Sequence, residues 1–524
     1  MEIRVCLSRS GLPTCVIGEL WLHSRYDPES EALRFARERL GSSHPSYVVL
    51  LGPCLDYLGQ AVRSILPRAK VLAIQLSDFF ESSSEGGSDT SWNPASGVAL
   101  ESFLDASIDE DAISGVAVLE WEPAARAFPA EARAARSAIQ ASLDRLISSS
   151  FTVRSSGRRW IANACASFLL AERLYRPSGT DRPIVVAASG PSLERALKDL
   201  PPGRGGFILM AVSSALRACL AAGRAPDLVV ASDGGYWSRL HLFPLAAAPL
   251  PLASPLTALP SASIYRFSGL MVLNQGSFVE SELLPSFGAS VALPPHGTVS
   301  GTAIQLAARL SAGPIIVAGL DLASHGEKDH ARPHGFDPVL SAGVSRFEPL
   351  ETRAWNRSLG STPIALKEAP WRSSRSLQSY ASALGLDSRL LAGRLFRLRP
   401  SPMRLGGFVE MDTRELCSLL GSKPGSDSLE LEEVAPPSIP AREDFLREKI
   451  ASWKDLSRRA ALGLAEGQLH IPKDIAELLR SIDIVDYAAA RRAVLAGGDA
   501  SKAALDLSAS CESFLGGLER RFAS

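Results

Sequence analysis

The middle of the chain holds residues whose types and spacing suit a phosphorylated ligand. Ser189-Gly190-Pro191-Ser192 follows an apolar run at 184–188 and precedes a helical pattern. A glycine there lets a phosphate approach the backbone, and the amides of the helix start point at it. The alternative is a tight strand-to-helix turn with Ser192 as the cap. Neither G-x-G-x-x-G nor G-x-x-x-x-G-K-[ST] is formed at this turn, which disfavours a Rossmann dinucleotide site and a P-loop. Downstream, His296-Gly297-Thr298-Val299-Ser300-Gly301-Thr302 puts small hydroxyl residues and glycines before an amphipathic helix. That is a second place for phosphate or sugar oxygens, or an ordinary N-cap.

Acidic residues mark two further turns, Ser232-Asp233-Gly234-Gly235 and Gly319-Leu320-Asp321-Leu322, each closing an expected strand. A carboxylate at a strand's carboxyl end can accept bonds from ribose hydroxyls or a base, or hold a divalent metal; it can equally cap the next helix. Asp227, after Pro226, is open to either a binding or a structural role. The polar loop 325–334 gathers His325, His330 and His334, three of the chain's eight histidines. Histidine suits general-base work near neutral pH. Zinc is a rival reading, though the loop lacks the helical H-x-x-x-H register and His330 and His334 flank a proline; a merely solvated loop is the third.

These groups need a sheet to hold them. Short apolar runs at 184–188, 207–212, 228–231, 271–273 and 315–318, most bounded by Gly, Pro or Asp, predict buried strands. Helices at 193–200, 214–222 and 302–311 alternate with them, giving a doubly wound α/β domain. Before it, strands at 3–7, 47–51 and 70–75 alternate with helices at 29–40 and up to about residue 66, followed by helices at 129–148 and 160–175. The Ser-, Glu- and Gly-rich stretch 80–97 reads as a surface excursion, and 177–183 (PSGTDRP) as a linker. An acidic, proline-rich break at 429–440 precedes a helical block at 442–524. Domains are therefore expected at 1–150 (α/β), 151–430 (central, Rossmann-like) and 431–524 (helical).

With 524 residues, 46% of them apolar, several cores can form. Lys plus Arg total 55 against 56 for Asp plus Glu, so no overall field calls for nucleic acid or an anionic membrane. Seven dispersed cysteines without a C-x-x-C pair point to a reducing compartment. No leader pattern and no long apolar window is evident, so a soluble, cytoplasmic protein is expected.

The order S-G-P-S-L, P-D-L-V-V-A-S-D, G-T-V-S-G-T-A and A-G-L-D-L-A with a nearby K-D-H-A resembles the motility-associated factor (Maf) family of flagellin glycosyltransferases, with its MptE-like central domain. Leu22-His23-Ser24-Arg25-Tyr26-Asp27-Pro28, Glu31-Ala32 and Leu50-Leu51-Gly52-Pro53 resemble that family's N-terminal region, so the likeness runs from about 20 to 415. It implies a central fold similar to bacterial sialyltransferases. It also implies transfer of a nonulosonic acid (pseudaminic, legionaminic or sialic type) from its CMP-activated form to Ser or Thr of flagellin, with no covalently bound cofactor. By the same likeness Ser189, Gly190, Pro191 and Ser192 lie by the donor phosphate and ribose, Thr298 and Ser300 by the phosphate, and Gly319, Asp321 and Leu322 by the cytidine. Ser213 and Asp227 join the donor side; Asp233, His330 and His334 are the catalytic candidates. The chain departs from those sialyltransferases in having Ser189 and Ser213-Ser214 where they carry Asn. Two alternatives stand beside this one. The same central domain occurs in archaeal 6-hydroxymethylpterin pyrophosphokinases, which use ATP and magnesium, and the chain could be a non-catalytic flagellin-binding assembly factor.

Overall fold

The computed structural model describes residues 3–80, 87–109, 115–201, 206–242, 250–258, 267–359, 364–366, 370–387, 391, 393–400, 402–420 and 429–522. The chain divides into two compact units, Met1–Arg158 with Ile450–Ser524, and Arg159–Lys449. The helical block expected as a third domain therefore falls, from Ile450 on, into the same unit as the N-terminal residues.

In that first unit, Tyr47–Leu51, Lys70–Ile74, Thr90–Trp92 and Val116–Glu120 form a four-stranded parallel sheet. Ile3–Leu7, expected to join it, instead pairs antiparallel with Pro13–Ile17 in a separate three-stranded sheet. None of its residues is buried, which suits a surface hairpin better than a strand covered on both faces. Part of the 80–97 excursion is the strand Thr90–Trp92; residues 81–86 lie outside the described residues. The two helices expected at 129–148 and 160–175 are one helix, Pro129–Leu170, of which the residues up to Arg158 belong to this unit. Its Ser- and Gly-rich middle reads as a break, yet Gly157 is there because a Cβ would stand 2.2 Å from the Ser481 carbonyl oxygen. The close approach of a neighbouring backbone, rather than a helix stop, explains that glycine. From Ile450 on the unit holds the end of the helix Ile439–Ala465 and the helices Lys473–Leu495 and Ser501–Phe522, with Arg68 donating to the Val494 carbonyl (3.0 Å) and Arg491 beside Asp109 (3.3 Å).

The second unit is built on an eleven-stranded sheet. Its strands are β1 (Leu174–Pro177), β2 (Ile184–Ala187), β3 (Ile208–Val212), β4 (Leu228–Val230), β5 (Pro251–Pro255), β6 (Gly269–Asn274), β7 (Val291–Ala292), β8 (Ile315–Ala318), β9 (Leu395–Leu398), β10 (Val409–Met411) and β11 (Leu431–Val434). They lie in the order β10-β9-β8-β2-β3-β4-β5-β6-β1-β11, with β7 also beside β6. Every ladder is parallel except that of β11 with β1. Every residue of β2, β3, β4 and β8 is buried, the pattern of strands covered on both faces. The 177–183 segment is no linker between units. It ends β1 and then runs inside this unit, where the Thr180 amide donates to the Leu310 carbonyl (2.9 Å). The acidic 429–440 break likewise contains β11, whose half-exposed LEEV pattern is that of an edge strand.

Candidate active site at the switch point of the central sheet

From β2 the chain winds outward through β3, β4, β5 and β6, then returns to place β8, β9 and β10 on the other side of β2. The strand order reverses between β2 and β8. In open α/β sheets ligands bind outside the carboxyl ends at that crevice. The residues leaving those two ends are Ser189-Gly190-Pro191-Ser192 and Gly319-Leu320-Asp321-Leu322. The helix Val299–Leu310 packs on β2, β3 and β8 and ends next to Thr180, near the amino end of β2. Its start, Thr298 to Gly301, therefore lies on the carboxyl side as well.

The two turns are locked together. Asp321, 1% exposed, accepts from the Ser192 amide at 2.8 Å and from Ser192 Oγ at 2.5 Å. The Gly190 amide donates to the Gly319 carbonyl at 2.8 Å, and a Cβ on Gly190 would stand 2.5 Å from both that oxygen and Asp321 Oδ2. A Cβ on Gly319, at φ +72°, would likewise stand 2.6 Å from the Ala188 carbonyl oxygen. Burial pushes the Asp321 carboxyl up to about 6, against the pull of the Ser192 bonds and of the Arg397 guanidinium. Arg397, in the middle of β9 and 1% exposed, donates to the Leu320 carbonyl at 2.5 Å and to that of Met403. The donors of the first turn are thus largely spent on its own partner. The Thr298 start differs: its hydroxyl caps the Gly301 amide (3.0 Å) and its carbonyl takes the Thr302 amide (3.1 Å), which leaves the Val299 and Ser300 amides in the first helical turn. Ser300 is half-buried there.

A loop carries the histidines onto the first turn. His325 and Lys328 exchange backbone bonds around Gly326, at φ +61°. Lys328 Nζ then pairs with Glu194 (2.8 Å), whose carboxylate also takes the Arg332 amide (2.9 Å), and the Ala331 amide donates to the Ser189 carbonyl (2.9 Å). His330 sits between these anchors, about a third exposed, with Nδ1 3.3 Å from Asp329. Its ring stacks on His334 at 4.2 Å, and His334 packs edge-on against His241 at 4.9 Å. His334 is buried, and burial, with His330 and His241 adding to it, drives its pKa far below the ordinary histidine value. Burial likewise brings His241 down to about 4. His330, rather than His334, is therefore the loop histidine open to a substrate. Together with Glu327, Asp329, Arg332, Asp337 and Arg357 these two line a shallow depression open to solvent. Among the described residues no group of three or more His, Cys, Asp or Glu could hold a metal ion.

The remaining candidates occupy several places. Asp227 precedes β4 at its amino end, away from the crevice, and trades bonds with the Leu209 backbone (2.7 and 2.8 Å). These bonds hold it just before the start of the β3–β4 ladder, Met210 opposite Leu228. Asp233 is exposed at the carboxyl end of β4, its Oδ1 accepting from the Gly235 amide (2.8 Å) in a local turn. Ser213 is buried directly after β3, and Leu322, at φ +49°, gives its carbonyl to the Ser373 hydroxyl (2.9 Å). Sequence reasoning missed Glu194, Asp329, Arg357 and Arg397. Asp329 stands inside the K-D-H-A motif, so it had a signal; the other three had none.

The fold and site define a doubly wound α/β protein with its crevice at a switch point. Residues 162–327 match the family described as 6-hydroxymethylpterin diphosphokinase MptE-like. The whole chain is similar in fold to the Maf glycosyltransferase of Magnetospirillum magneticum AMB-1, with a TM-score of 0.64 at 11% identity, covering 100% of this chain and 92% of that one. An uncharacterized protein of Treponema pallidum (strain Nichols) is 31% identical over 284 residues, 54% of this chain and 60% of that protein's length. The resemblance read from the sequence thus holds as an MptE-like central region within a Maf glycosyltransferase fold. Among the described residues no helix is long and apolar enough to cross a membrane.

Proposed function

We propose that this chain is a glycosyltransferase that moves a nonulosonic acid from a CMP-activated donor to Ser or Thr hydroxyls of flagellin, in the cytoplasm. The observation that carries the reading is the likeness in fold, over the full chain, to a solved glycosyltransferase. The crevice supports it, because a loop histidine is bonded through its neighbour to the turn leaving β2. In this reading the donor phosphate meets the Val299 and Ser300 amides, where a helix start favours growing negative charge on the leaving group. The acceptor oxygen attacks the anomeric carbon as the bond to the phosphate oxygen breaks, and His330 takes the acceptor proton. Asp321 and Ser192 hold the crevice in shape.

The family matched by residues 162–327 favours a second reading, transfer of diphosphate from ATP to a pterin alcohol. Ligand-dependent unfolding separates the two: ligand at 100 times its dissociation constant adds about 2.7 kcal/mol to apparent stability. Stabilisation by CMP or CDP supports the transferase, and stabilisation by ATP with magnesium alone supports the kinase. Stabilisation by no nucleotide leaves a binding protein. The decisive measurement is the intact mass of flagellin co-expressed with this chain in cells that make the activated sugar. An unchanged mass rejects the transferase.

A further inference from the structure

We propose that Asp329, clamped by Arg357, is the positioning residue that fixes the tautomer of His330 and leaves its outer nitrogen bare to receive a proton. This rests on the reading of His330 as the general base of the proposed transfer.

Arg357 Nε donates to Asp329 Oδ2 at 2.6 Å, and the guanidinium lies 4.6 Å from the Phe336 ring centroid, so the clamp is itself seated. The other carboxylate oxygen, Oδ1, stands 3.3 Å from His330 Nδ1. That nitrogen is buried, while the ring as a whole keeps about a third of its surface exposed, so the open edge is the one opposite. The contact is not aligned as a full hydrogen bond, as is common for catalytic pairs without substrate. The His334 ring, parallel to within 18°, covers one face of His330 and limits its rotation. Burial alone would raise the Asp329 carboxyl, yet His330 and Arg357 hold it well below the usual carboxylate range. A carboxylate accepts only, so a neutral His330 facing it carries its proton on Nδ1 and keeps a lone pair on Nε2. In the transfer, the acceptor O–H gives its proton to Nε2 as its oxygen bonds the anomeric carbon. The electron pair of the broken carbon–oxygen bond leaves with the phosphate, and the imidazolium keeps its Nδ1–H on Asp329.

Asp329→Asn gives a sharp test, because Arg357 can only donate. It claims the amide oxygen and turns the amide NH₂ toward Nδ1, which must then accept; the proton moves to Nε2 and the base is lost. The readout is imidazole ¹⁵N NMR on the full chain, with His330→Gln to assign the signals. The neutral wild-type ring is expected as the Nδ1–H tautomer and the Asp329→Asn ring as Nε2–H. A wild-type ring protonated on Nε2, or one tautomer in both proteins, overturns the proposal. Should Asp329→Asn fail to fold, Arg357→Met keeps the carboxylate but frees it, and a mixture of tautomers is expected; a pure Nδ1–H ring overturns the clamp. In the transfer assay Asp329→Asn lowers kcat by about 10² to 10⁴ with the donor KM nearly unchanged. Wild-type turnover in that variant overturns the positioning role. An inactive wild type with the expected tautomer rejects the transferase reading alone.

Discussion

Asp321→Asn should stabilise the central unit at neutral pH, and by an amount that depends on pH in a defined way. Burial moves the Asp321 carboxyl from 3.8 to about 6. Each tenfold change in proton affinity is about 1.4 kcal/mol, so holding this group ionised inside the fold costs on the order of 3 kcal/mol. Between about 4 and 6 the folded chain keeps a proton that the unfolded chain has released, so this group's stabilising contribution is full below 3.8 and is lost as pH rises through about 6. The amide reproduces the protonated acid: its oxygen accepts from the Ser192 amide and its NH₂ donates to Ser192 Oγ, with no charge to bury. The variant should therefore exceed the wild type by about 3 kcal/mol at pH 7 and by about 1 kcal/mol at pH 4.5. Urea unfolding followed by hydrogen exchange in peptides spanning β2 and β8 reads this unit by itself. The difference between the two proteins cancels the other titrating groups. A gap that does not change with pH, or a wild type that is the more stable at pH 7, would refute the reasoning.

Gly190→Ala places a methyl 2.5 Å from the Gly319 carbonyl and should destabilise the unit by about 2 kcal/mol; an unchanged urea midpoint would show that the two turns can part. Arg397→Met strands the Leu320 and Met403 carbonyls and should cost about 3 kcal/mol, with a full-stability variant arguing that water reaches them. Thr298→Val removes the cap on Gly301, with a loss of about 1 kcal/mol in stability. The same variant should bind CMP more weakly in calorimetric titration, and equal affinity would move the phosphate away from this helix start.

The strands that the sequence makes legible are those with a continuous apolar signature. Ile184–Ala187, Ile208–Val212 and Ile315–Ala318 are hydrophobic throughout because helices or loops cover both faces. Pro251–Pro255 carries two prolines, Leu395–Leu398 holds a buried arginine and Leu431–Val434 two glutamates, so none of them shows that signature. The turns were found because glycine and serine at strand ends are a local signal. What they bind is not local: Ser192 and Asp321 are 129 positions apart, and Arg357 reaches back 28 positions to Asp329. Pairings at such separations follow from the sheet order, which no local pattern encodes.

The division of labour at the crevice follows from where donors are already spent. A phosphate needs amides or cations that have no better partner, and in the Ser189–Ser192 turn the Gly190 and Ser192 amides serve the neighbouring turn instead. The turn's work is to fix the floor of the crevice and, through the Ser189 carbonyl, the loop that carries His330. Asp321 fits the same picture: a carboxylate held at an energetic cost joins β2 to β8 at the point where the strand order reverses, and the buried Arg397 ties the third strand to it. The crevice is therefore rigid on the β2–β8 side, and its adaptable parts are the exposed edge of His330 and the open start of the helix Val299–Leu310. Changes of substrate preference should map to those two places, whereas substitutions in the two locked turns should be read first as changes in stability.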